Sequence, residues 1–160
     1  MPCYSVGVRA PRGARIQNEM RLRLPSLSVN EAMARAAVAA FCVQADPEAV
    51  ELADIKCAVS EAVTNCIVHA YREVAGDIQI KVQLLEQRLV KIEIKDRGCG
   101  IEDVQRAREP LYTTDAEGER SGMGFTVMES FCDGVRVVSA QGKGTTVTLL
   151  KQLSKRPSLT

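Results

Sequence analysis

The hydrophobic period of this chain changes sharply near Gly76, and that change limits what it can fold into. Upstream, the segment from Pro47 to about Arg72 carries Leu52, Ile55, Val59, Val63, Cys66 and Ile67 close to a 3.6-residue period, the stripe of a long amphipathic helix. Downstream, "DIQIKVQLLE" and "RLVKIEIKD" alternate apolar and polar residues, and the short polar turn around Gln87 and Arg88 joins them as a hairpin. A second alternating pair, "GVRVVSA" and "GTTVTLLKQL", forms another hairpin around "QGKG". Before the helices, "NEMRLRLPS" sets Met20, Leu22 and Leu24 on one side and reads as an edge strand closed by Pro25. The sum predicts an α+β fold, a two-layer sandwich with helices on one face of a mostly antiparallel mixed sheet.

Punctuation sets the remaining boundaries. "SVNE" predicts a capping box, Ser28 as N-cap and Glu31 three residues on, opening an alanine-rich helix to about Gln44. Asp46 and Pro47 then restart the chain. "DRGCGIEDVQRAREPLYTTDAEGERSGMG" runs for nearly thirty residues with one short helical piece near residues 101–108. A loop of that length inside a compact domain is usually functional. Helix resumes at "GFTVMESFCD". With 160 residues the chain fits one domain, placed at residues 18–152. Residues 1–17 read as a disordered tail or a non-native extension, and 153–160 as a frayed C-terminal tail.

Composition excludes several classes. Twenty-one Lys and Arg against twenty Asp and Glu leave no basic field to draw the chain to nucleic acid or an acidic membrane surface. Apolar runs such as "ARAAVAAFCV" fall far short of the roughly 20 residues that a bilayer span needs, and no long apolar leader opens the chain. The six cysteines form no C-x-x-C pair, and with His69 the single histidine, zinc spacing is absent. Most of these thiols are expected as small core hydrophobes kept reduced in a cytoplasm, with Cys99, in a glycine turn, as an exposed exception.

Two polar residues interrupt the long helix. In "SEAVTNCIVHAY", Glu61 and Asn65 lie four apart, so both tips project from one face. From the helix alone they are either a solvated stripe or a carboxylate and an amide aimed into a pocket. Glycine clusters follow at 96–100 ("DRGCG"), 121–124 ("SGMG") and 142–144 ("GKG"). "SGMGF" opens a helix, where free backbone N–H groups favour an anion. "DRGCG" has an acid where a strand ends. Neither the P-loop spacing nor the dinucleotide G-x-G-x-x-G is present.

In this order, E-x-x-x-N on a long helix, D-x-G-x-G-I, G-x-G opening a helix and G-K-G-T-T resemble the GHKL ATP-binding superfamily, which includes gyrase B and the histidine kinases. The fuller wording of "SEAVTNCIVHAY", "PLYTT", "ERSGMGFTVMESFCD" and "KGTTV" is similar to the anti-sigma F factors, sporulation serine-protein kinases, nearly unbroken from about Asn18 to Leu150. The resemblance implies a Bergerat-type ATP-binding fold with ATP and Mg²⁺ as cofactors. It implies Glu61 as general base toward an incoming hydroxyl and Asn65 as the Mg²⁺ ligand. Asp96 is implied as acceptor for the adenine amino group, with Gly98 and Gly100 turning the backbone beneath the base and Thr145 assisting at the adenine through its hydroxyl or a water. Gly122 and Gly124 are implied as phosphate contacts, with Ser121 donating nearby and Arg120 bringing a cation to the γ-phosphate. Residues 103–120 would form a lid over the nucleotide, with Tyr112, Thr113 and Thr114 shaping the lid or a partner site. Arg35 matches the family's contact for both the sigma factor and the anti-anti-sigma protein, and His69 is expected to be structural. Cys66 and Ala70 stand where small residues are usual.

The function implied is a dimeric anti-sigma factor that binds and inhibits a sporulation sigma factor and phosphorylates a serine of its anti-anti-sigma antagonist. The alternative is an ATP-gated sigma-factor-binding module without kinase activity, against which Glu61 argues, since a pure switch has no use for a base. A histidine kinase would need an acceptor histidine on a separate helix, and His69 lies inside the ATP-binding one.

Overall fold

The computed structural model describes residues 1–71, 73–109 and 124–156. Six strands form one sheet in the order β1-β5-β6-β4-β3-β2. They are β1 (Cys3–Gly7), β2 (Ile16–Pro25), β3 (Asp77–Leu85), β4 (Leu89–Lys95), β5 (Gly134–Ala140) and β6 (Gly144–Gln152). All described pairings are antiparallel, so the sheet is not mixed. The helices are α1 (Asn30–Cys42), α2 (Ala49–Asn65), α3 (Val104–Ala107) and α4 (Gly124–Phe131). No helix among the described residues is long and apolar enough to cross a membrane.

Alternation decides the layers. Ile78, Ile80, Val82 and Leu84 of β3 face the helices in register with Ile94, Ile92 and Val90 of β4, and Val147 and Leu149 of β6 continue the row. Ala34, Val38, Ile55, Val59, Ala62 and Val63 meet them from α1 and α2, all nearly or fully buried. On the other face Glu93 pairs with Lys81 at 2.6 Å and Lys91 at 3.4 Å.

Three expectations are corrected. Residues 1–17 are not a disordered tail among the described residues: β1 pairs with β5 from Cys3↔Val138 to Gly7↔Gly134. Tyr4 is 3% exposed, donates to Glu129 Oε1 at 2.8 Å, meets Phe125 edge-on and lies beneath the Arg108 guanidinium at 4.8 Å. Farther along, Ala10 and Ala14 pack on Leu85, Leu89 and Leu150. Tyr4 and Val6 alternate with Cys3, Ser5 and Gly7, but over five residues flanked by Arg, Gly and Pro the pattern is too short to stand out, and the strand exists through pairing with β5.

Second, Leu153 is 2% exposed and the Ser154 N–H donates to Glu51 Oε1 at 2.6 Å, so the domain continues past 152; residues 157–160 lie outside the described residues. Third, the capping box at Ser28 does not form. α1 starts at Asn30, whose amide donates to the Pro25 carbonyl at 2.9 Å, and the Glu31 carboxylate instead accepts from the Ser60 hydroxyl. The reciprocal arrangement occurs at α2, where Glu51 accepts from the Glu48 N–H at 2.8 Å. Burial pushes the Glu51 carboxyl up, but these backbone donors hold it below its ordinary value.

Candidate nucleotide-binding site

The site lies where α2 ends above the ends of β4, β5 and β6. Helix α2 stops being α-helical at Asn65 and continues as a π-turn over Cys66–Ala70, a wider winding that recurs at functional sites. At the last residue of that turn the Ala70 carbonyl accepts from the Cys99 N–H at 3.0 Å. Ala70 also explains one glycine: a Cβ on Gly98 would come within 2.2 Å of the Ala70 oxygen. Gly100 has a φ of +73° and a Cβ there would lie 2.0 Å from the Ala140 oxygen, so both are required for close backbone approach.

Asp96 sits at the centre of this end, 5% exposed. Its Oδ1 accepts from the Gly98 N–H at 2.9 Å and the Thr145 N–H at 3.2 Å, and Oδ2 faces the Cys66 thiol at 3.6 Å. Burial raises the Asp96 carboxyl above its ordinary value, while those two backbone donors and the thiol pull the other way. Burial, and then the neighbouring Asp96 charge, push the Cys66 thiol well above its ordinary range. Keeping an ionisable group in such a place costs stability, and groups of this kind are concentrated at functional sites.

Ser139, fully buried, ties the surrounding turns together. It accepts from the Ile101 N–H at 2.8 Å, donates to the Gly144 carbonyl at 3.1 Å and shares a hydrogen bond with the Thr145 hydroxyl at 2.8 Å. Thr145 thus serves Asp96 through its backbone, with its hydroxyl engaged below. Tyr71 closes the other side, its phenol accepting from the Arg97 N–H and donating to the Asp77 carbonyl, each at 2.8 Å. Neither Ser139 nor Tyr71 stands out in the sequence, where one is a serine in a strand and the other ends an apolar helix.

The second end lies one turn back along α2. A Cβ built on Gly124, the first residue of α4, would be 3.3 Å from Glu61 Oε2 and 3.4 Å from Asn65 Oδ1. The helix therefore begins against both predicted polar residues, and they are no solvated stripe. Both side chains are partly exposed, unlike Asp96. Arg120, Ser121 and Gly122 lie outside the described residues, as do Tyr112, Thr113, Thr114 and the rest of the predicted lid from Pro110 on.

Arg35 stands on the outer side of this end. Its guanidinium donates to Ser60 Oγ at 3.3 Å and lies 3.5 Å from Glu31 Oε1. Between α1 and α2 runs a groove of about 520 Å³ lined by Arg35, Ala53, Lys56, Cys57, Ser60 and Glu61. Cys57 is exposed there, and Cys3 and Cys99 are exposed as well, whereas Cys42 and Cys66 are buried. Core placement thus holds for fewer thiols than the sequence pattern suggests. Cys99 Sγ lies 3.0 Å from the His69 carbonyl.

The residues fit a purine nucleotide. One end offers a buried carboxylate beside glycines that admit no side chain, and the other offers the N-terminus of an eight-residue helix beside a carboxylate and an amide oxygen. Comparison with known proteins agrees. The histidine kinase-like ATPase domain family matches residues 24–151. An anti-sigma F factor from Caldanaerobacter subterraneus subsp. tengcongensis is 52% identical over 138 residues, covering 86% of this chain and 96% of the relative. One from Bacillus cereus is 50% identical over 144 residues, covering 90% and 99%. Among solved structures, the RsbU and RsbW domains of a Mycobacterium tuberculosis protein superpose with a TM-score of 0.65 at 22% identity, over 88% of this chain and 34% of that one. The histidine kinase domain of a blue-light activated kinase from Erythrobacter litoralis gives 0.52 at 19% identity, over 81% and 62%.

Proposed function

This chain belongs to the histidine kinase-like ATPase family and within it to the anti-sigma F factors, and from that premise we propose that it holds a sporulation sigma factor and phosphorylates a serine of an anti-anti-sigma antagonist. The observation that carries the kinase reading is the meeting of Glu61, Asn65 and the start of α4, with Glu61 also lining the groove that leads to Arg35. A nucleotide-gated switch alone would not need a carboxylate there.

Each residue then has a role. Asp96 accepts the exocyclic amine of the base, and Gly98, Gly100 and the Thr145 backbone fix the turn beneath it. Asn65 supplies an oxygen to Mg²⁺, a hard cation suited to such a ligand. Gly124, with Ser121, Gly122 and Arg120 just before it, faces the phosphates. ATP with Mg²⁺ supplies the γ-phosphoryl group. Glu61 accepts the proton of the serine hydroxyl as its oxygen bonds to phosphorus and the bond to ADP breaks. Phosphorylation adds close to two negative charges to the antagonist, which weakens its hold on the domain by repulsion and desolvation.

Arg35 docks both partners in this scheme, and Ser60 and Glu31 hold it beside the groove. The ten-residue strand β2 ends the sheet, and its open edge supports a homodimer. The protein acts in the cytoplasm, without contacting nucleic acid itself. The test is transfer of labelled γ-phosphate from ATP with Mg²⁺ to a purified anti-anti-sigma protein, with ATP binding measured in parallel. Transfer is expected. Binding of ATP without transfer to any such partner would leave the gated binding module as the function.

A further inference from the structure

We propose that Cys66 is a positioning residue for base recognition: its thiol takes one side of Asp96 Oδ2 and thereby fixes the acceptor position left for the exocyclic amine of adenine. The inference rests on the reading of Asp96 as the adenine acceptor. A carboxylate offers about four lone-pair positions. Two, on Oδ1, are taken by the Gly98 and Thr145 N–H groups, and one, on Oδ2, by the thiol at 3.6 Å. Among the described residues Asp96 has no other donor, so one position on Oδ2 remains.

The placement is specific to the local backbone. Cys66 is the first residue of the π-turn, directly after Asn65, and keeps α-helical dihedrals (φ −63°, ψ −45°) with its N–H on the Ala62 carbonyl, so the buried stripe of Ala62 and Val63 continues to it and its thiol reaches Asp96 at the end of β4. A cysteine serving as a small hydrophobe needs only apolar neighbours, which Cys66 also has in the core cluster. This one, 4% exposed, instead presents its hydrogen to a carboxylate that is itself 5% exposed. Without a donor at that side, Oδ2 has two equivalent open positions and the carboxylate can rock about its Oδ1 bonds. With the donor, the remaining lone pair has one direction. A thiol is a weak donor, so the effect on affinity is modest, whereas the effect on discrimination follows directly from the geometry.

The experiment is equilibrium binding of ATP and of ITP, whose base carries an oxygen where adenine carries the amine. It uses the full chain and the Cys66→Ala, Cys66→Ser and Asp96→Asn variants, with thermal melting of each. The parent protein is expected to prefer ATP. Cys66→Ala should weaken ATP about three- to tenfold and leave ITP within twofold, so the ATP/ITP ratio falls by that factor. Cys66→Ser, which restores a donor, should recover the ratio even if burying the hydroxyl lowers the melting temperature. If Cys66→Ala keeps the ratio within twofold while Asp96→Asn collapses it, Cys66 is packing alone and the proposal falls by itself. If Asp96→Asn also keeps the parent ratio, the assignment of Asp96 falls and takes this inference with it.

Discussion

The two ends of the site are built differently. At the Asp96 end every partner is a backbone amide or a buried side chain, held by Ser139, Tyr71 and glycines that no other residue could replace without a clash. At the Glu61 end the groups are partly exposed side chains on helices, and Arg35 beyond them is 42% exposed. Recognition of a base depends on acceptor direction and profits from preorganisation, because donors that need no rearrangement cost nothing at binding. Transfer to a protein hydroxyl requires that two large ligands meet at one carboxylate, and such a place must stay accessible. The contrast predicts that substitutions at one end change which nucleotide binds, and substitutions at the other change what is done with it.

The largest expected effect is at Glu61. Glu61→Gln keeps shape and hydrogen bonding but removes the base, so transfer should fall by about 10²- to 10⁴-fold while the ATP dissociation constant moves less than threefold. A parallel loss of ATP binding would break the division between the ends. Asp96→Asn should do the reverse, weakening ATP by about 100-fold, because an amide nitrogen facing the base amine repels it and leaves a buried polar group unpaired. It should also raise the melting temperature of the nucleotide-free protein at neutral pH. Burial raises the folded-state pKa of Asp96, so its contribution favours the folded state at low pH and is lost as pH rises through that value. The stability gap between Asp96→Asn and the parent should therefore close as pH falls through the raised value, which melting curves across an acid series will show.

Gly124→Ala probes the seam. A Cβ there lies within 3.3 Å of Glu61 Oε2, so the carboxylate must shift by a few tenths of an ångström. Transfer should fall about tenfold with an unchanged ATP/ITP ratio. Alanine is a better helix former than glycine by up to about 1 kcal/mol, so the loss should come without a lower melting temperature. A changed ratio would mean that the two ends are mechanically one.

The same contrast governs how much could be read from the sequence. The Glu61 end is legible because helical spacing alone puts Glu61 and Asn65 on one face, and Gly124 follows a glycine pattern at a helix start. Both hairpins and the edge strand β2 are legible for a similar reason: periodicity is local. What is not legible depends on pairing across the chain. β1 is too short for its alternation to stand out and exists through β5, and Ser139 gains its role by joining the Ile101 turn, 38 residues back, to Gly144 and Thr145 at the start of β6. The "SVNE" pattern at 28–31 misleads because Ser60, thirty residues on, offers the Glu31 carboxylate a tertiary partner that a local cap cannot match. The resemblance names Asp96, but two of the three donors that orient it, the Cys66 thiol in the π-turn after α2 and the Thr145 N–H of β6, appear only in the fold.

Ser139→Ala should give the smallest effect and is the sharpest check on preorganisation. The hydroxyl does not touch Asp96, which keeps its bond from the Thr145 N–H. Removing it leaves the Ile101 N–H and the Gly144 carbonyl without this partner in a buried place, a cost of about 1–3 kcal/mol. At about 2–4 °C per kcal/mol for a domain of this size, the melting temperature should fall by roughly 5 °C. ATP affinity should drop about threefold, through looser turns beneath Asp96, while transfer at saturating ATP stays at the parent rate. If affinity is untouched while the protein melts earlier, Ser139 only supports the fold and Asp96 is oriented by its immediate donors alone. If affinity falls as far as in Asp96→Asn, those donors are insufficient and the hydroxyl beneath them sets the acceptor.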